Sequence, residues 1–466
     1  MSVSFWVICY LLITLVIGVL ASRLIHSSND FLSASRRLPL IINASALFAF
    51  WFGSETVLGA SSEFIQHGIL GVIEDPFGGF LCLMLFGLIF VRPLYRRNIL
   101  TLGDLFRKVY GVKIERLSAV LMIISFFGYV AAQIIALGIL FHTVFGMDEW
   151  LGRIVSALIV TGYTAAGGMW SVSITDFVQS VMIVVGLLLI AIQLTGLVDT
   201  SLLFTSTKPD YFDVIPTVNN EMSWMDYFAA WCALGLGSLA SQDIFQRANA
   251  AKSEKIAVRS TYLGAFLYLI FAMIPLYLGL VAHQLVPELT TGDTEHTIMQ
   301  MIGLYAPTWL QIVFYGSLVS AIFSTCSGSM LAPASLLAEN LIKPAFYPQA
   351  SDKQLLTISR WSVLIIAIVS TILAMMSDSI YELVSQSSIL GMVCILVPMY
   401  AALFHADKQT ALGATISMIL GIASYAFFEW FPEYAFIPSM FIGFLLSIAG
   451  LILGNQLVKR NSQFSG

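Results

Sequence analysis

The chain has 466 residues, 58% of them hydrophobic and 11% charged, with a net charge of -5 and a mean hydropathy of +0.88. An ordinary soluble domain carries about 25% charged residues, so this composition excludes a soluble globule and predicts an all-α polytopic membrane protein. At about 20 apolar residues per crossing, the length accommodates roughly twelve to fourteen helices.

In chain order the apolar segments predict thirteen spans, at about 3–22, 40–60, 72–92, 117–142, 150–168, 174–197, 223–245, 259–283, 305–335, 358–377, 380–404, 408–430 and 434–457. Cytoplasmic loops collect Lys and Arg, which tests the count. With the N-terminus outside and the C-terminus in the cytoplasm, the inner loops hold Arg23, Arg36, Arg37, the run Arg92 to Arg116, the run Arg247 to Arg259, Lys343, Lys353, Arg360, Lys408, Lys459 and Arg460. That is 20 of the 22 basic residues, all but Arg153 and Lys208. An even number of spans would scramble the pattern. Most acids fall outside: Asp199, Asp210, Asp213, Glu221, Glu288, Asp293, Glu295, Glu429 and Glu433. The longest loops, about 198–222 and 284–304, are too short for a separate core, so 1–466 reads as a single transmembrane domain. The first apolar segment lacks a basic stretch before it and reads as an uncleaved helix. Short loops, and external loops without a glycosylation sequon, favour a bacterial inner membrane.

The basic stretches are topogenic and do not point to nucleic acid. Cys9, Cys82, Cys232, Cys326 and Cys394 sit in apolar segments without a CxxC spacing and read as packing. The histidines have no metal-ligand spacing, and a phosphate-binding G-x-x-x-x-G-K-[ST] loop is absent from the sequence. Any energy the chain uses would then come from an ion gradient, or none is used.

Two apolar segments are interrupted in matching fashion. Phe48 to Gly59 (FAFWFGSETVLG) contains Gly53, Ser54 and Glu55, and Trp231 to Leu239 contains Gly235, Gly237 and Ser238. Unwound backbone within a membrane is tolerated only where it lines a site, and a pair of such segments in corresponding halves points to a secondary transporter. An ionised Glu55 in hydrocarbon costs at least about 2.5 to 3.5 kcal/mol, so it is paired, protonated or facing water. It can accept bonds from broken backbone, orient a solute or take a proton. Phe48, Phe50, Trp51 and Phe52 crowd the break, with Tyr129, Trp224 and Trp231 available from other helices. Aromatics with one or two carboxylates suit an organic cation.

Three further stretches are specific: Gly167 to Gln179 (GGMWSVSITDFVQ), Gln242 to Lys255 (QDIFQRANAAKSEK) and Ser320 to Asn340 (SAIFSTCSGSMLAPASLLAEN). With Trp51 to Gly59 they resemble, in order and at the family's spacing over nearly the whole chain, the sodium/solute symporter family, whose members carry sugars, proline, pantothenate, iodide and choline. The resemblance implies a LeuT-type fold of two inverted five-helix repeats, 40–197 (the second to sixth spans) and 223–404 (the seventh to eleventh), with one helix before and two after. It implies a sodium ion held by the backbone carbonyls of Ala49, Phe52 and Ala321 and the hydroxyls of Ser324 and Thr325. Such neutral oxygens suit a hard cation. Taken alone, both hydroxyls would be bonded to the preceding turn. Asp176 matches an acidic position on the ion's inward path, or else caps a helix start. Asp75 matches a position at which the sugar carriers contact substrate, or else is an acid at the outer membrane boundary.

The resulting expectation is sodium-coupled symport of a small organic solute, contacted by Trp51, Ser54, Glu55, Thr56, Asp75, Tyr129 and Trp231. The sugar carriers have Gln where this chain has Thr56, and the choline carriers an aromatic where it has Ser241; an organic cation, an amino acid or a betaine remain open. The alternatives are a proton-coupled carrier that titrates Glu55 or Asp176, a transporter-like sensor, for which no signalling domain follows Val458, and a channel. The solute and the bilayer are the partners this requires; no obligate protein partner is inferred.

Overall fold

The computed structural model describes residues 3–23, 25–204, 207–218, 220, 222–377 and 379–464. Glu221, one of the acids expected outside, lies outside the described residues. The named elements are all helical, as hydrocarbon demands of any open chain that must satisfy its own backbone. Ten helices among the described residues are long and apolar enough to cross a membrane.

Helix α1 (Val3–Ser22) is peripheral, leaving Leu12, Ile13, Val16 and Val19 exposed as a lipid-facing surface. Helix α2 (Leu40–Trp51) starts after Pro39 and stops at Phe52, whose φ of -96° and ψ of 65° leave the helical region. After Gly53 the chain resumes as a π turn, Glu55–Gly59, and then α3 (Ala60–His67). Alternating π and α turns carry it from Ile73 to Arg96.

Helix α4 (Val112–Phe145) leads to α5 (Glu149–Thr195), which is 47 residues long. A straight helix of that length would measure about 70 Å against a hydrocarbon core of about 30 Å, so it has to turn back. It does so at Gly168, where φ is +49° and a Cβ would fall 2.4 Å from the Phe31 ring. The expected interhelical connection thus shrinks to a single residue, because glycine alone supplies that conformation without penalty.

The second interrupted segment comprises α6 (Trp224–Gly237), a 3-10 turn Ser238–Ala240, extended Ser241, and α7 (Gln242–Ala250). Then follow α8 (Glu254–Leu285), α9 (Thr308–Leu336), α10 (Asp352–Ala374), α11 (Ile380–Leu390), α12 (Ala411–Trp430) and α13 (Ser439–Phe464). Helix α9 is the central post, buried continuously from Phe314 to Leu336. Helices α12 and α13 meet through glycine, a Cβ on Gly454 falling 2.5 Å from Gly413 Cα, the small-residue contact that lets membrane helices approach.

The start of α2 and the end of α7 lie together: Leu38 N–H donates to the Ala250 carbonyl at 3.0 Å and Lys252 N–H to the Leu38 carbonyl at 3.0 Å. The same side holds the Arg36 to Asn98 bond at 2.9 Å and the Arg96 to Glu254 ion pair at 2.8 Å. At the other side, His67 at the end of α3 and Ala230 near the start of α6 line one cavity. The two broken segments therefore run in opposite directions. The sequence motifs close the base of this arrangement. Asn340 donates to Glu115 at 2.9 Å and to Asp104 at 3.2 Å, while Gln242 accepts from Leu102 N–H at 2.8 Å.

Candidate functional site

A helix that stops mid-membrane leaves carbonyls and N–H groups that must find partners. Around the first break those partners are side chains. The Ser54 N–H donates to Gln133 Oε1 at 3.0 Å, and Thr56 Oγ1 reaches the Trp51 carbonyl at 3.3 Å. Thr325 Oγ1, from α9, donates to the Phe50 carbonyl at 2.7 Å and reaches the Ala49 carbonyl at 3.4 Å. Space decides the residue at the break: a Cβ on Gly53 would fall 2.4 Å from Glu55 Oε2 and 2.8 Å from Thr325 Oγ1.

Both carboxylates near the break are buried and bonded. Glu55, 2% exposed, accepts from Gln133 Nε2 at 2.8 Å and from Tyr129 OH at 2.9 Å. Asp75 accepts from Thr56 Oγ1 at 2.9 Å and from Tyr268 OH. It is 1% exposed, which places it inside the bundle and against the first break, with no water-facing boundary at its carboxylate.

Ser324 and Thr325 direct their hydroxyls away from their own helix. Ser324 Oγ donates to Asp176 Oδ1 at 2.6 Å, while Thr325 bonds the broken end of α2. Asp176 Oδ2 has no hydrogen-bond partner and lies 3.7 Å from Arg247 Nη2. Arg247, 1% exposed, donates through Nε to the Ala46 carbonyl at 3.0 Å and stacks 3.9 Å over the Phe50 ring. Phe52 and Ala321 occupy the break and the turn of α9 before Thr325. Two hydroxyls, carbonyls released by the break and an acidic oxygen without a donor make an oxygen-rich seam suited to a small hard cation. No closed tetrad of soft ligands is built here.

Beside this seam lies a cavity of about 30 Å³ lined by Phe50, Trp51, Tyr129, Ser238, Ser241 and Asp243, with Ser387 and Ser388 of α11. At about 10 to 15 Å³ per water it holds water and no organic solute, so α11 and the broken segments must part for a solute to enter. Phe50 stacks on Tyr129 with ring centroids 6.0 Å apart, and Trp51 meets Tyr268 edge-on at 6.1 Å. Trp51 Nε1 and Ser54 Oγ are buried without partners.

Of the residues singled out from sequence, Trp51 and Tyr129 line this cavity, and Ser54, Glu55, Thr56 and Asp75 form the bonded layer behind it. Trp231 does not line it, packing between Phe77 and Tyr227 at 6.4 Å from each. Trp224 is 52% exposed. Gln133, Tyr268 and Asp243 were not assigned roles from sequence, and Arg247, counted there among the inner-loop basic residues, is instead buried against Asp176 and Phe50. Gln133 is the single amide in the apolar run 126–141, and Asp243 and Arg247 are charges within the second of the three specific stretches, signals that a search for buried polar groups would have raised.

A helical bundle that buries two oppositely directed broken helices, with a cation-sized oxygen seam against a third, defines a membrane transporter. The family model for "Sodium:solute symporter family" matches residues 31–421, and the chain belongs to this family. It is 27% identical over 440 residues to the high affinity choline transporter 1 of Homo sapiens, covering 89% of this chain and 75% of that protein. It is 27% identical over 468 residues to the high-affinity proline transporter PutP of Bacillus subtilis (strain 168), covering 96% and 97%. The fold matches that of a Na+-coupled sialic acid symporter solved in a substrate-bound outward-open state, with a TM-score of 0.85, 19% identity and 98% of both chains covered. The nucleobase-cation-symport-1 family transporter MHP1 matches with a TM-score of 0.55 and 15% identity, over 93% and 96%. The all-helical symporter fold expected from sequence is thus the observed one, and these likenesses lend no support to the proton-coupled alternative.

Proposed function

We propose that this chain is a sodium-coupled symporter of a small organic solute, working by alternating access. One observation carries the reading: Thr325 of α9 holds the released carbonyls of α2 while its neighbour Ser324 holds Asp176. Sodium at this seam, ligated by Ala49, Phe52, Ala321, Ser324 and Thr325 with Asp176 on the inward path, would replace those bonds and clamp the broken helix to the central post. A ligand shifts a conformational equilibrium only through tighter binding to one state, and an ion bridging two helices does that. One charge crossing about 100 mV supplies about 2.3 kcal/mol and a tenfold gradient about 1.4 kcal/mol. One sodium ion then concentrates a neutral solute about 500-fold.

The topology we infer has thirteen crossings, with α5 contributing two and each broken segment one, arranged as inverted repeats 40–197 and 223–404. Antiparallel broken segments support it, as does the gathering of Arg36, Arg96 and Lys252 on one side, the cytoplasmic one, with the N-terminus outside. A bacterial inner membrane is the setting this reading favours.

For the solute, Phe50, Trp51 and Tyr129 with Asp243 behind them favour a quaternary or secondary ammonium carrying few other groups, by ring-face attraction and charge. Choline and proline, named for the relatives above, are both of that type. The experiment is uptake of labelled choline, glycine betaine and proline into proteoliposomes under an inward sodium gradient. Accumulation of one of them, abolished by Trp51→Ala and by collapsing the sodium gradient, is expected. Accumulation driven by a proton gradient in sodium-free medium would overturn sodium coupling.

A further inference from the structure

Glu74 and Asp75 are neighbours that face different spaces. Asp75 turns inward to Thr56 and Tyr268. Glu74 lines a cavity of about 1000 Å³ between α3, α6 and the end of α8, together with Glu63, His67, Lys208, Asp210 and Tyr381. Glu74 is 9% exposed, and although Ser385 reaches its carboxylate, Oε1 is buried with no hydrogen-bond partner. Among the described residues, three carboxylates here face one lysine, with His67 and His283 the remaining titratable groups besides Tyr211 and Tyr381. The nearest pairing, Glu63 with His67, is a 4.0 Å contact between partly open side chains, which compensates little. A membrane-embedded carboxylate without a full set of partners is a site in want of a cation, and low-dielectric walls of one sign concentrate counter-ions.

Tyr381 supplies the other half. Its hydroxyl donates to the Gly71 carbonyl at 3.3 Å, and its ring lies against the first broken segment, 3.3 Å from where a Gly59 Cβ would stand. An aromatic ring beside an incompletely paired carboxylate, at the floor of a wide cavity, is a receptor for a positive charge.

We propose that Glu74, with Tyr381, is a loading site for a monovalent cation, an ammonium group or a sodium ion, at the floor of the outer vestibule. The proposal rests on the symport reading, which makes this cavity the outer approach to the first break. A captured cation would sit one residue along the chain from Asp75, which bonds Thr56 of the first break.

The test uses the full-length protein with Cys9→Ser, Cys232→Ser and Ala230→Cys, the last lining the cavity. Labelling rates are compared for a methanethiosulfonate reagent bearing trimethylammonium and one bearing sulfonate. The cationic reagent is expected to react about tenfold faster, with the preference falling toward that of a free thiol in Glu74→Gln. Tetramethylammonium chloride and sodium chloride are then each compared with N-methylglucamine chloride at equal ionic strength. Protection by tetramethylammonium assigns the site to ammonium groups, protection by sodium assigns it to the ion, and both are lost in Glu74→Gln. Failure of both salts to protect, or a charge preference unchanged by Glu74→Gln, overturns the proposal. Sodium-specific thermal stabilisation sensitive to Ser324→Ala, measured on the same samples, reports the symport reading separately and verifies that Glu74→Gln is folded.

Discussion

The two helix breaks solve one problem in different ways. At the second, a 3-10 turn carries the backbone through, Ser241 N–H donating to the Ser238 carbonyl at 3.1 Å, and the side chains add a Ser238 to Ser388 hydroxyl contact at 3.1 Å. At the first, the released groups depend on Gln133 of α4 and Thr325 of α9, with Thr56 bonding across the break. A self-satisfied break gives a fixed bend. A break satisfied by borrowed side chains can exchange those partners for an ion or a solute without leaving backbone stranded, which is what the proposed symport asks of the first break.

The largest effect is expected where the two breaks are tied together. Arg247 follows the second break, yet pairs with Asp176 and covers Phe50 of the first. Arg247→Ala leaves a buried carboxylate uncompensated and should cost about 3 to 5 kcal/mol in chemical unfolding of the purified protein, with partial recovery on adding Asp176→Ala. If the single variant is as stable as wild type, the two breaks are not coupled through this pair.

Next in size is a contrast between glycines. Gly53→Ala drives a methyl onto Glu55 and Thr325 and should cost about 1 to 3 kcal/mol, together with the sodium response. Gly235→Ala, two residues before the second break, meets the end of the Leu81 side chain at 3.2 Å and the Gly78 carbonyl at an ordinary contact distance of 3.5 Å, and gains the better helix former, so its unfolding should match wild type or exceed it, unlike Gly237 at the break itself, where a Cβ would fall 2.5 Å from the Ser388 carbonyl. Equal losses would mean that the helix leading into the second break is packed as tightly as the first break itself.

Smaller again is the difference between supporting polar groups. Gln133→Leu strands the Ser54 N–H and one Glu55 oxygen and should cost about 1 to 3 kcal/mol. Ser388→Ala at the second break should stay within about 0.5 kcal/mol. Thermal unfolding of the two variants side by side checks the order.

Much of this architecture was legible in the chain because a membrane reduces the alphabet. Apolar run length gives the helices, and the ends of α1, α4, α8 and α10 fall within a few residues of where hydropathy places them. Gly53 and Gly168 advertise the first break and the α5 turn, since packing at one and positive φ at the other tolerate no side chain. What the sequence could not convey is which helices meet. Nothing local says that Gln133 of α4 bonds Ser54, or that Arg247 stacks on Phe50, because these contacts join residues 79 and about 200 positions apart. Aromatic spacing was uninformative for the same reason: Trp231 sits about two turns before the second break, but its ring packs toward Phe77, away from the cavity that Trp51 and Tyr129 line.

The most direct test of the account is thermal unfolding in sodium chloride against potassium chloride at equal ionic strength, for wild type, Ser324→Ala, Thr325→Val and Ser238→Ala. Binding to the folded state alone stabilises by mass action, about 2.7 kcal/mol at one hundred times the dissociation constant. A rise in unfolding temperature specific to sodium is predicted for wild type and Ser238→Ala, and its loss in Ser324→Ala and Thr325→Val. A sodium response that survives both α9 substitutions, or none in wild type, would contradict an ion site at the seam between α2 and α9.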